Sequence, residues 1–161
     1  METESHIINK PFEADDTEPY IFISYKHTDW KAVYPVIKRF HEAGFNIWYD
    51  AGLPRGKSYD IAIATHIKNA ALFITFITEK VIECSCNDDD YLIKELSAAN
   101  SLRKPTLPIF LDKIKLDGFY LIHYAGIKSI YKHQYDGNDD LFIEDCIRAF
   151  RYDFGIEPNG D

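Results

Sequence analysis

Tyr20-Ile21-Phe22-Ile23-Ser24-Tyr25 is a run of aromatic and β-branched residues with almost no polar interruption. A strand with one face in water alternates apolar and polar residues, and this run does not. It therefore predicts a strand buried on both faces, at the centre of a parallel sheet. Working outward, Met1 to Glu18 is polar, acidic and without period, and reads as a disordered leader or linker, with order expected from near Pro19. Downstream, Thr28 or Asp29 can cap a helix whose apolar positions Val33, Ile37 and Phe40 recur at helical spacing. Gly44 stands where a left-handed residue closes such a helix. Pro35 fits the interior poorly because it removes a hydrogen bond, so regular helix is expected only from near Tyr34.

The same unit then repeats. Phe45 to Asp50 (FNIWYD) reads as a second strand, Ala51 to Ser58 (AGLPRGKS) as a Gly/Pro loop, and Tyr59 to Asn69 as a helix with Ile63 and Ile67 on one face. Ala71 to Thr78 (ALFITFIT) is a third apolar strand. Glu79 to Asn87 is polar, and a helix follows with Leu92, Leu96 and Ala99 as its core stripe. Asp88 to Asp90 fall in its first turn, where acidic groups favour the helix dipole. Thr106 to Leu111 is a fourth strand, Gly126 to Tyr131 a shorter fifth, and Ile143, Ile147 and Phe150 mark a last helix. Alternating strands and helices with apolar strands predict an α/β fold, a five-stranded parallel sheet with helices on both faces.

Composition narrows the function classes. A chain of 161 residues, 46% hydrophobic, suits one core. Eighteen Lys plus Arg against 26 Asp plus Glu give a net charge of −8, which opposes an extended phosphate backbone and disfavours nucleic-acid binding. No long apolar run or secretory signal is visible, so a cytoplasmic protein without a membrane span is expected. Cys84, Cys86 and Cys146 are an odd number without an export signal and read as reduced thiols. The six histidines lack metal-finger spacing, so no metal is expected. A Rossmann glycine fingerprint, a P-loop and a Gly-x-Ser-x-Gly elbow are all missing, and Gly56-Lys57-Ser58 only imitates a P-loop's end. A phospho-receiver would need an acidic pair after the first strand and an Asp ending the third, where this chain has Ser24-Tyr25-Lys26 and Ile77-Thr78.

Ligands of open parallel sheets bind outside the carboxyl ends of the strands. That rule gathers Tyr25, Lys26 and His27, the Ala51 to Ser58 loop, and the helix after the third strand into one prospective cleft. On that helix Tyr91 and Glu95 are four apart and share a face. A carboxylate beside an aromatic platform could hold a ribose below a stacked base, or stabilise positive charge developing at a sugar carbon.

Five segments in order, Ile21-Phe22-Ile23-Ser24-Tyr25, Gly44 to Asp50, the Gly/Pro loop, Glu95-Leu96 and Leu107-Pro108-Ile109, resemble the Toll/interleukin-1 receptor (TIR) domain, particularly its bacterial branch. The resemblance spans roughly Pro19 to Tyr152 and implies a flavodoxin-like domain of five parallel strands that either mediates TIR–TIR assembly or cleaves NAD+. The glutamate of the family's helical Trp-x-x-x-Glu implies a catalytic role for Glu95, with Tyr91 replacing the tryptophan but keeping an aromatic face. Tyr25 and Lys26 match first-loop residues lining the family's nucleotide site, as does Gly56 in its BB loop; His27 lies beside them. Lys26, Arg55 or Lys57 could offset the pyrophosphate charge. Leu53, Pro54 and Arg55 would dock a second protomer that completes the cleft. The resemblance thus implies NAD+ as substrate rather than cofactor, with nicotinamide and ADP-ribose, a cyclic isomer or a conjugate as products. It also implies a role in bacterial antiphage immunity, with a nucleotide-sensing effector downstream, and leaves a non-catalytic TIR–TIR scaffold as the alternative. Residues 153–161 read as a tail or the start of a linker to a further domain.

Overall fold

The computed structural model describes residues 18–49, 57–83, 91–116, 118–124 and 126–158, the side chains of 57–60, 91, 119, 120 and 123 excepted. Five strands, β1 (Ile21–Ser24), β2 (Ile47–Tyr49), β3 (Leu72–Ile77), β4 (Thr106–Phe110) and β5 (Ile130–Tyr131), form one sheet in the order β2-β1-β3-β4-β5. All four pairings are parallel, and β1 is flanked on both edges, with Ile21 opposite Ile47 and Leu72 and Ser24 opposite Thr75. Every residue of β1 and of β3 is buried. The unbroken apolar runs follow from this placement, since a central strand covered by helices has no wet face to alternate against.

Alternation along β1 divides the core. Ile21, Ile23 and Tyr25 pack with Val33, Ile37 and Phe40 of α1 (Trp30–Glu42) and with Phe142, Cys146 and Phe150 near the chain's end. Tyr20 and Phe22 pack on the other face with Ile63 and Ile67 of α2 (Lys57–Asn69) and with Leu92, Leu96 and Ala99 of α4 (Tyr91–Ser101). Between them runs the short α3 (Glu79–Glu83). The chain ends with α5 (Gly118–Tyr124) and α6 (Asp139–Arg148), the latter continuing as a π-turn over Ala149–Asp153. Within that turn Phe150 meets Phe40 and Phe45 edge-on, with centroids 4.9 and 5.2 Å away, the geometry that aromatic quadrupoles favour. Cys146 is fully buried, and loss of solvation pushes its thiol pKa up. Cys84 and Cys86 lie outside the described residues.

Several expectations are corrected. Helix α1 starts at Trp30 rather than near Tyr34 and contains Pro35, which stands on its exposed side. A 3₁₀ turn, His27–Asp29, leads into it, and Asp29 makes no side-chain cap. Its carboxylate instead accepts a 2.6 Å bond from Thr78 Oγ1. Helix α3 occupies part of the stretch read as polar connection. Its first N–H donates to Asp112 Oδ2 at 2.9 Å, so the acceptor that satisfies its start comes from the segment following β4. Helix α5 was not foreseen, and the fifth strand is cut to two residues. Gly44 does close α1 at φ +100°. Asn138 caps α6 by accepting from Leu141 N. No described helix is long and apolar enough to cross a membrane.

Candidate functional site

Glu95 stands in the second turn of α4, on the side that packs against the sheet, and is only 6% exposed. Burying a carboxylate among apolar groups is costly without hydrogen bonds. One is supplied by Ser24, the last residue of β1, whose Oγ donates to Glu95 Oε1 at 2.7 Å. Such hydroxyl-to-carboxylate bonds are stronger than neutral ones. Ser24 reaches the helix because it shares strand parity with Phe22, which belongs to the α2/α4 side of the core. Its register partner Thr75 is also buried, so the sheet face turns from apolar at Phe22 and Phe73 to hydroxylated at Ser24 and Thr75, towards the carboxyl ends of the strands.

The residues gathered by sequence separate here. Tyr25 follows Ser24 and so belongs to the other face, where its ring lies 5.3 Å from Trp30 and 5.0 Å from His27. Trp30 continues this row to Tyr34 at 4.9 Å and Tyr49 at 5.5 Å. Lys26 and His27 are half-buried in the loop leaving β1. Tyr91 opens α4, four residues before Glu95, and its side chain lies outside the described residues, as do Leu53, Pro54, Arg55 and Gly56 entirely. Asp88 to Asp90 lie outside them too. Reading the strand ends for ligand groups overlooked Ser24. The signal available was a hydroxyl closing an otherwise apolar, doubly buried strand, on the parity of Phe22 rather than of Tyr25.

A cleft of about 600 Å³ opens on the α1/α6 side, lined by Asp29, Pro35, Arg39, Thr78, Lys80 and Phe142 among others; Glu95 is not part of its wall. Its charges are largely answered within the protein: Arg39 meets Asp140 at 3.1 Å, Lys132 meets Asp139 at 3.6 Å, and Lys80 approaches Asp29 at 3.9 Å. Volume alone does not make a reactive site. A buried carboxylate at the carboxyl ends of the strands, to which Ser24 donates, is the stronger candidate for a reactive group than a cleft whose charges are largely paired.

Comparison with known proteins agrees with this architecture. The family model described as TIR domain matches residues 21–142. The TIR domains of the activated Roq1 resistosome, which directly recognizes the pathogen effector XopQ, superpose with a TM-score of 0.63 at 15% identity, over 83% of this chain and 99% of that one. The RPS4 and RRS1 TIR domain heterodimer gives a TM-score of 0.61 at 10% identity, over 86% of this chain and 100% of that one. At such identities the likeness is one of fold. No curated protein sequence matches the chain. A parallel sheet in the order β2-β1-β3-β4-β5 and a family match across most of the chain lead to one assignment: the protein belongs to the TIR domain family.

Proposed function

We propose that this TIR domain cleaves the nicotinamide–ribosyl bond of NAD+, with Glu95 as the catalytic carboxylate. The observation that carries the reading is the burial of Glu95 at the end of the sheet where parallel α/β folds bind ligands, with its carboxylate held by Ser24. The chemistry asks for this group. When the C–N bond breaks, the electron pair leaves with the pyridinium nitrogen, so nicotinamide departs neutral and no strong acid is needed. What remains is an oxocarbenium-like ribosyl centre, and a fixed negative charge in a site shielded from water stabilises it far more than the same charge in bulk solvent. Water then bonds to the ribosyl carbon and releases a proton, giving ADP-ribose; attack from within the substrate gives a cyclic isomer, and an external acceptor gives a conjugate. Tyr91 would offer a stacking face, with Tyr25, Lys26, His27 and Gly56 contacting the nucleotide. A cytoplasmic place in bacterial antiphage immunity, signalling to a nucleotide-sensing effector, is the setting that fits such a product.

The test is chromatography and mass analysis of NAD+ incubated with concentrated full-length protein beside Glu95→Gln. Nicotinamide release that disappears in the variant, with its unfolding temperature little changed, is the expected result. Equal release from both proteins would remove Glu95 from the mechanism.

A scaffold reading has its own support, since one structural relative is a TIR–TIR heterodimer. In a scaffold the domain recruits other TIR domains through Leu53, Pro54 and Arg55 and turns over no NAD+. Self-association without nicotinamide release under crowding on beads would favour it.

A further inference from the structure

We infer that Ser24 is a positioning residue for Glu95, fixing its carboxylate for the reaction; this rests on the NAD+-cleavage reading of the same site. Ser24 Oγ lies 2.7 Å from Glu95 Oε1 and the residue is 1% exposed, so it is closed off from any substrate and acts only through the carboxylate. Packing alone does not call for a hydroxyl there. Two residues earlier on the same face, Phe22 stacks between Trp48 at 5.0 Å and Phe73 at 5.5 Å, and an apolar side chain at position 24 would extend that layer. The contact joins residues 71 apart, from the last position of a strand flanked on both edges to the second turn of α4. A strand hydrogen-bonded on both sides is a rigid platform from which to orient a side chain of α4.

The chemical identity of the donor matters as much as its place. A lysine or arginine would hold the carboxylate equally well and cancel the charge that an oxocarbenium-like centre needs. Serine orients the group without bringing a charge of its own. Thr75, the register partner of Ser24, keeps the neighbouring surface polar without adding charge.

Four forms of the full chain test this: wild type, Ser24→Ala, Ser24→Thr and, for assignment, Glu95→Gln. NAD+ turnover is measured with the proteins concentrated on beads, together with thermal unfolding and the ¹³C-carboxyl resonance of Glu95, assigned by its loss in Glu95→Gln. In Ser24→Ala, kcat should fall by about tenfold to a hundredfold, the scale of a small misplacement of a reacting group, while KM for NAD+ stays within about a factor of two. The Glu95 resonance should move, and Ser24→Thr should restore both. A purely structural serine would lower the unfolding temperature without this split between kcat and KM. Wild-type kcat in a folded Ser24→Ala protein would overturn the inference and leave the catalytic reading intact. If the wild type releases no nicotinamide, the catalytic reading falls by itself, and a Glu95 resonance indifferent to Ser24→Ala would separately show that the hydroxyl does not hold the carboxylate.

Discussion

Tyr135 donates its phenol proton to Asp145 Oδ2, while Asp145 Oδ1 accepts from Arg148 Nη1 at 2.6 Å. Desolvation first, then the hydrogen bond and negative charge of Asp145, push the phenol from its ordinary 10.0 up to about 12, with Arg148 pulling the other way. Because the folded state holds this proton more tightly than the unfolded chain, the contribution is fully present below pH 10 and is lost as pH rises through about 12. Urea unfolding of wild type and Tyr135→Phe across this range should show the wild type losing its relative advantage above pH 10. A constant difference between the two would contradict the bond's role. Residue-level features differ in how plainly sequence announces them. That Glu95 stands on a helix was legible because helical spacing is local information. The Ser24–Glu95 and Asp29–Thr78 bonds were not, since each depends on which elements the sheet order makes neighbours.

Helix α1 carries a cost at Pro35, which has no N–H to give to the carbonyl of Lys31. The helix nevertheless forms from Trp30, because Val33, Val36, Ile37 and Phe40 all bury against the sheet and outweigh local propensity. Pro35→Ala should therefore raise stability by about 1–3 kcal/mol, part of the helical penalty being offset by the freedom the unfolded chain regains. The midpoint of urea unfolding reports it, and a lower midpoint would show that the proline ring is needed where it packs. The elements that sequence revealed were those with long patterns: the apolar strands and the helices α1, α2, α4 and α6. Helices α3 and α5 escaped because five and seven residues are too few for a 3.6-residue period to declare itself. Strand β5 shrank because it pairs only with β4, through Ile130 and Tyr131.

Across the whole molecule, the expected sheet emerged because each segment's burial pattern agrees with its place in the strand order. Assembly is the scale at which the catalytic proposal has its second consequence. If Leu53, Pro54 and Arg55 of one protomer complete the cleft of another, NAD+ turnover per molecule rises with protein concentration. A rate per molecule that holds constant through about a hundredfold dilution would exclude a composite site. Within one protomer, Ser24 and Tyr25 are adjacent in the chain yet serve opposite halves of the core. Inherited changes at Tyr25 are felt by the row of Trp30, Tyr34 and Tyr49, and changes at Ser24 by the carboxylate, so each half can drift under its own selection. A deletion of a single residue inside β1 would have no such freedom, because it would exchange both addresses at once.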